Sequence, residues 1–78
     1  MLQKIKKDEE NTIGLNIRRL RKARKLGQMQ MARELQLMGV DITRETLVKI
    51  ERGIQHIQVA QLRGIRDVLK CSYEDLLE

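Results

Sequence analysis

A chain of 78 residues with one histidine and a single cysteine, Cys71, forms no internal disulfide and cannot assemble a zinc-finger ligand set. With 41% hydrophobic and 35% charged residues it reads as one small globular domain, near the size at which a single core gives only marginal stability. A net charge of +5 favours a polyanionic partner, although charge alone does not identify one.

Residues 1–11 read as a charged leader, basic at first and then acidic at Asp8, Glu9 and Glu10. Leu2 and Ile5 are its only large apolar anchors beyond Met1, so a mobile arm is expected. It lacks the long apolar core of a secretion signal, and no later run approaches the ~20 residues of a membrane span. The expected location is cytoplasmic, with the folded domain over 12–78.

Helix 1 is expected to start at Asn11 or Thr12, either of which can cap, and to run to about Arg24. Ile13, Ile17 and Leu20 recur at helical spacing and form its buried stripe. Around them Arg18, Arg19, Arg21, Lys22, Arg24 and Lys25 form a basic cluster, mostly a solvated face whose density favours a phosphate backbone nearby. Helix 2 follows Gly27 and carries Gln28, Met31, Ala32, Leu35 and Met38, the methionines serving as flexible core filler. Gln28 lies in the first turn, beside unpaired N–H groups that suit a phosphate oxygen. The helix is expected to stop near Gly39.

The segment Thr43 to Gly53 holds a start signal, two contrasting faces and a stop. Thr43 caps it, while Ile42 and Leu47 occupy the two positions of a hydrophobic staple. Leu47 and Ile50 share one face; Arg44, Glu45 and Lys49 lie away from it, and Gly53 can end the helix with φ > 0. Long hydrogen-bonding side chains on the outer side suit base edges in the major groove of DNA. Helix 4 is expected from about Gln58 to Lys70, with Val59, Leu62, Ile65 and Leu69 on one side and a costly Gly64 within it. Helix 5 opens with a capping box at Ser72-Tyr73-Glu74-Asp75, stapled by Cys71 and Leu76. No stretch alternates with period two, so the fold class is all-α, a compact bundle of five short helices.

From Ile13 to Leu77 the chain resembles the Cro/CI-type, or xenobiotic-response-element, helix-turn-helix domains. The resemblance rests on Ile17-Arg18-Arg19-Leu20-Arg21, on Leu26-Gly27-Gln28 with Met31-Ala32 and Leu35, on Lys49-Ile50-Glu51-Arg52-Gly53, and on Cys71 to Leu77. It implies a lambda-repressor-like fold in which helices 2 and 3 form the motif and helix 3 enters the major groove. Thr43, Arg44, Glu45 and Lys49 would then face base edges, and Gln28 and Arg52 would hold phosphates. Arg21 would pair with Glu51 to tie helix 1 to the end of helix 3. The chain departs from the family at Gln36 to Val40, inserted between Leu35 and the residues leading into helix 3, and at Gly27, where Ser or Thr is usual. A longer helix 2 ending at Gly39 and a wider turn that returns Ile42 to the core are expected.

Nothing suggests an enzyme. Ser72 has no acid or histidine at a useful spacing, His56 is a lone histidine in a loop, and no Gly-rich phosphate loop is present. No cofactor, metal or small-molecule ligand is expected. The expected partner is double-stranded DNA, bound by a regulator that acts as a repressor, with a homodimer spanning two half-sites roughly 34 Å apart. RNA fits poorly, because its deep major groove excludes a helix and the chain has one tyrosine as its sole aromatic residue. The competing class is a protein-interaction module of the same fold, an adaptor or an antitoxin. Acidic or apolar residues on the outer side of helix 3 would mark it, whereas Arg44 and Lys49 keep that side suited to DNA.

Overall fold

The computed structural model describes residues 7–78, with side chains from Asn11 onward; five helices and no strand occur among them. They are α1 (Lys7–Ala23), α2 (Gln28–Leu37), α3 (Arg44–Glu51), α4 (Val59–Leu69) and α5 (Tyr73–Leu77). Of the arm expected over residues 1–11, residues 1–6, with Leu2 and Ile5, lie outside the described residues, and 7–11 belong to α1. The start of α1 differs from the expectation, because the helix runs through Asn11 and Thr12 and begins at Lys7. Asn11 and Thr12 therefore lie inside the helix and cap nothing.

Four of the five helices stop in the same way. After α2, the Gly39 and Val40 N–H groups donate to the carbonyls of Gln36 and Leu35 at 3.0 Å each, with Gly39 at φ +86°. After α3, Gly53 and Ile54 repeat the pattern on Ile50 and Lys49, with Gly53 at φ +73°. This paired closure satisfies carbonyls that the helix leaves open. After α1 and α4 a lysine takes the left-handed position, Lys25 at φ 58° and Lys70 at φ 52°. In three of the four, the next residue (Leu26, Val40 or Cys71) packs against the core and holds the chain reversal in place.

The starts of α3 and α5 follow local chemistry. The Thr46 N–H donates to Thr43 Oγ1 at 3.1 Å, and Ile42 and Leu47 are buried in one cluster. At α5, Ser72 and Asp75 cap each other through bonds of 2.9 and 3.0 Å. The Ser72 N–H, followed by its hydroxyl, holds the Asp75 carboxyl below its ordinary range.

Ile13 and Ile17 of α1, Met31 and Leu35 of α2, Leu47 and Ile50 of α3, Ile65 and Leu69 of α4 and Leu76 of α5 share one core. α1 lies against α3, α4 and α5, while α2 packs on α3 and α4. Asn16 adds a buried bond from α1, its Nδ2 donating to the Leu76 carbonyl at 2.9 Å. Two expected core positions are corrected. Val59 is 72% exposed because it opens α4 on the outer side, and Met38 is 50% exposed because it caps α2 rather than continuing it.

The inserted segment is tied down at several points. Gln36 Nε2 donates to the Ile42 carbonyl at 2.8 Å, and buried Gln61 donates from α4 to the Asp41 carbonyl at 3.2 Å. Gln61 Oε1 also accepts from the Gln58 N–H at 2.9 Å, closing the first turn of α4. Val40 turns inward onto Gly64: a Cβ there would lie 2.7 Å from Val40 Cγ2 and 3.0 Å from Leu35 Cδ2. The glycine inside α4 is therefore the space the widened turn occupies. Gly64→Ala is expected to destabilise the domain by about 1 kcal/mol, overpacking outweighing the gain in helix propensity. In a Val40→Ala background the same change is expected to stabilise it. Urea denaturation of the four proteins checks this, and equal effects of Gly64→Ala in both backgrounds would refute the contact.

Candidate nucleic-acid interface

An α-helix with its side chains is about 10–12 Å across, so α3, eight residues long, fits the width of a B-DNA major groove. Its inner side is closed, since Leu47, Ile50 and Glu51 are buried. Its outer side is open: Thr43, Arg44, Glu45, Lys49 and Arg52 are all exposed. Arg44, Glu45 and Lys49 have no hydrogen-bond or ion-pair partner among the described residues. They are thus available to an external donor or acceptor without breaking anything internal. Thr43 differs, because its hydroxyl accepts from the Thr46 N–H and donates to Thr46 Oγ1 at 3.0 Å.

The end of α3 is anchored by a buried ion pair. Arg21 donates from Nε to Glu51 Oε2 at 2.7 Å and from Nη2 to Oε1 at 2.9 Å, and its Nη1 reaches the Leu26 carbonyl at 2.8 Å. Both side chains are nearly sealed, with 8% exposure for Arg21 and 2% for Glu51. The fork of the guanidinium matches the carboxylate in two parallel bonds, a geometry lysine cannot supply. Gln28 joins the pair, its Nε2 donating to Glu51 Oε1 at 3.1 Å. The first residue of α2 is in this way tied to the last residue of α3. Gly27 offers no side-chain cap, so the first-turn N–H groups of α2 have no capping acceptor.

Gly14 permits this arrangement. A Cβ at that position would collide with the Ile50 carbonyl oxygen and lie 2.7 Å from that of Glu51. The main chain of α1 can therefore lie directly on the last turn of α3. The glycine was readable as an oddity within a helix, but its partner thirty-six residues away was not.

An open groove of about 760 Å³ runs between α1, the start of α2 and the second half of α3. Leu15, Arg18 and Lys22 form one wall, Val48 and Arg52 the other, with Arg21 and Glu51 between them. The sequence alone places Arg18 and Lys22 in a general basic cluster and gives Leu15 and Val48 no distinguishing signal. Among the described residues no group of three or more His, Cys, Asp or Glu is placed to hold a metal ion, and no helix is long and apolar enough to cross a membrane.

A model of the helix-turn-helix family matches the chain over residues 17–76, most of its length. The chain belongs to the Cro/CI-type helix-turn-helix family. No curated protein and no solved structure matches it. In this helix-turn-helix protein α2 and α3 are the motif, and the match includes the residues inserted between them. The family is one of DNA-binding regulators, so the open side of α3 is the surface to weigh against DNA.

Proposed function

We propose that this helix-turn-helix protein is a sequence-specific regulator that represses transcription by occupying promoter DNA, with α3 in the major groove. The carrying observation is the contrast across α3: a fully buried inner side beneath long polar side chains that have no internal partner. Arg44 and Lys49 suit the acceptors of guanine, and Glu45 suits the amino group of cytosine. Thr43, at the tip of the helix, stands beside them. Gln28 and Arg52 flank α3 where phosphates border the groove, and they set its position rather than its preference. One domain reads a half-site, so a homodimer on two half-sites roughly 34 Å apart completes the operator.

An adaptor or antitoxin role fits the fold as well, but the cationic outer side of α3 favours DNA. Selecting sites from a random duplex pool at stated salt gives the preferred sequence. Arg44→Ala is then expected to weaken binding to that site by about 1–3 kcal/mol and to relax discrimination at one base position. Uniform weakening on every duplex would remove Arg44 from the base-reading set. A parent protein with no preference among duplexes would remove the proposal itself.

A further inference from the structure

Resting on that reading, we infer that the groove between α1 and α3 seats one sugar-phosphate strand of the bound duplex, with α1 supplying a second backbone grip. Asn11, Leu15, Arg18 and Lys22 fall at i, i+4, i+7 and i+11, a single strip along α1 that faces the groove. Across from it stand Val48 of α3 and Arg52, the residue that caps the end of α3. Arg18, Lys22 and Arg52 are exposed and without a partner among the described residues. The charges between the walls cancel, because Arg21 and Glu51 are bound to each other. Three unneutralised cations therefore face one channel.

The apolar groups decide between an isolated anion and a strand. Leu15, 61% exposed, precedes Arg18 and Lys22 on the strip, and half-buried Val48 lines the same groove. A free phosphate has no use for them. A nucleic-acid backbone alternates charged phosphates with deoxyribose rings and uses both. The channel is also continuous with the reading helix through Val48 and Arg52. When α3 occupies a groove about 12 Å wide, the strand bordering that groove passes along the flank of the helix. That flank is where the channel lies.

The test uses the full chain and its selected duplex beside a scrambled one, titrated across a range of salt. R18Q/K22Q is expected to bind both duplexes roughly 10- to 100-fold more weakly at about 0.1 M salt and to lower the salt slope by about 1.8. The ratio of the two affinities is expected to stay at the parent value. Leu15→Asn is expected to weaken both duplexes equally with no change of slope. R63Q/K70Q removes the same charge from α4 and its C-cap, outside the groove, and is expected to shift the slope by only a few tenths. Melting curves for each variant confirm that the fold is kept.

Equal slopes for R18Q/K22Q and R63Q/K70Q would overturn the groove assignment while leaving the function standing. So would a changed affinity ratio, or a Leu15→Asn protein that binds like the parent. Polyglutamate that competes with the duplex on the parent, and fails to bind R18Q/K22Q while duplex binding persists unchanged, would make the occupant an acidic protein segment instead. A parent that grips no duplex at any salt overturns both readings together.

Discussion

Glu51→Gln is expected to lower the melting temperature by roughly 12 °C or more, from a loss of about 3–5 kcal/mol. The change keeps the shape of the side chain and removes its charge. Arg21 then remains buried with no anion, its Nε and Nη2 facing an amide that can accept from only one side. Burying an unpaired charge costs more than the original pair contributed, so the single substitution is far more damaging than removal of both partners. The paired replacement R21M/E51L is accordingly expected to recover most of the lost stability. A Glu51→Gln protein that melts within a few degrees of the parent would show that water reaches Arg21 and that the pair is no anchor.

The same substitution bears on DNA binding. Glu51 Oε1 accepts from Gln28 as well as from Arg21, so it holds the first turn of α2 against the end of α3. R21M/E51L, stable but lacking that acceptor, separates the two roles. It is expected to fold while binding its duplex more weakly at unchanged sequence preference, because Gln28, proposed above to hold a phosphate, is no longer positioned.

Gly14→Ala is the second large effect. On an exposed helix this exchange would stabilise by about 1 kcal/mol. Here the added methyl meets the carbonyl oxygens of Ile50 and Glu51, which are main-chain atoms and cannot rotate away. Only a shift of α1 against α3 relieves the contact, and both helices share the core. Overpacking of side chains costs about 1–3 kcal/mol, and a main-chain clash belongs at or above the top of that range. A net loss of about 2 kcal/mol or more is expected in chemical denaturation, together with weaker DNA binding as α3 tilts. Stabilisation by Gly14→Ala would mean that the helices do not approach as closely as the structure has them. The contrast with Gly64 is informative, since there the neighbours are side chains and a smaller Val40 can relieve the overlap.

Much of this protein follows from rules that act within four or five residues. Thr43 starts α3, Ser72 and Asp75 start α5, and Gly39 and Gly53 reverse the chain because each acts on its own backbone. The stripe of Ile13 and Ile17 and the pair Leu47 and Ile50 follow from helical periodicity alone, as do the outward positions of Arg44, Glu45 and Lys49. That was enough to read the five helices and the candidate reading surface directly. Periodicity also misled at its edges: Val59 and Met38 have the right spacing but sit at helix ends, where one residue's difference in where the helix begins or stops decides the face.

What local rules could not supply depends on how separate elements meet. Gln61 crosses twenty positions to the Asp41 carbonyl, and Gln28 crosses twenty-three to Glu51. Gly14 and Gly64 are required by neighbours on other helices, and the channel beside α3 exists only once α1 lies along it. The amino-acid order by itself determined where helices start, stop and turn an apolar side inward, because those choices are made by adjacent groups. Tertiary packing alone decided which glycines are indispensable and which cations share a groove, because distance between chain-remote atoms is set only when the core closes.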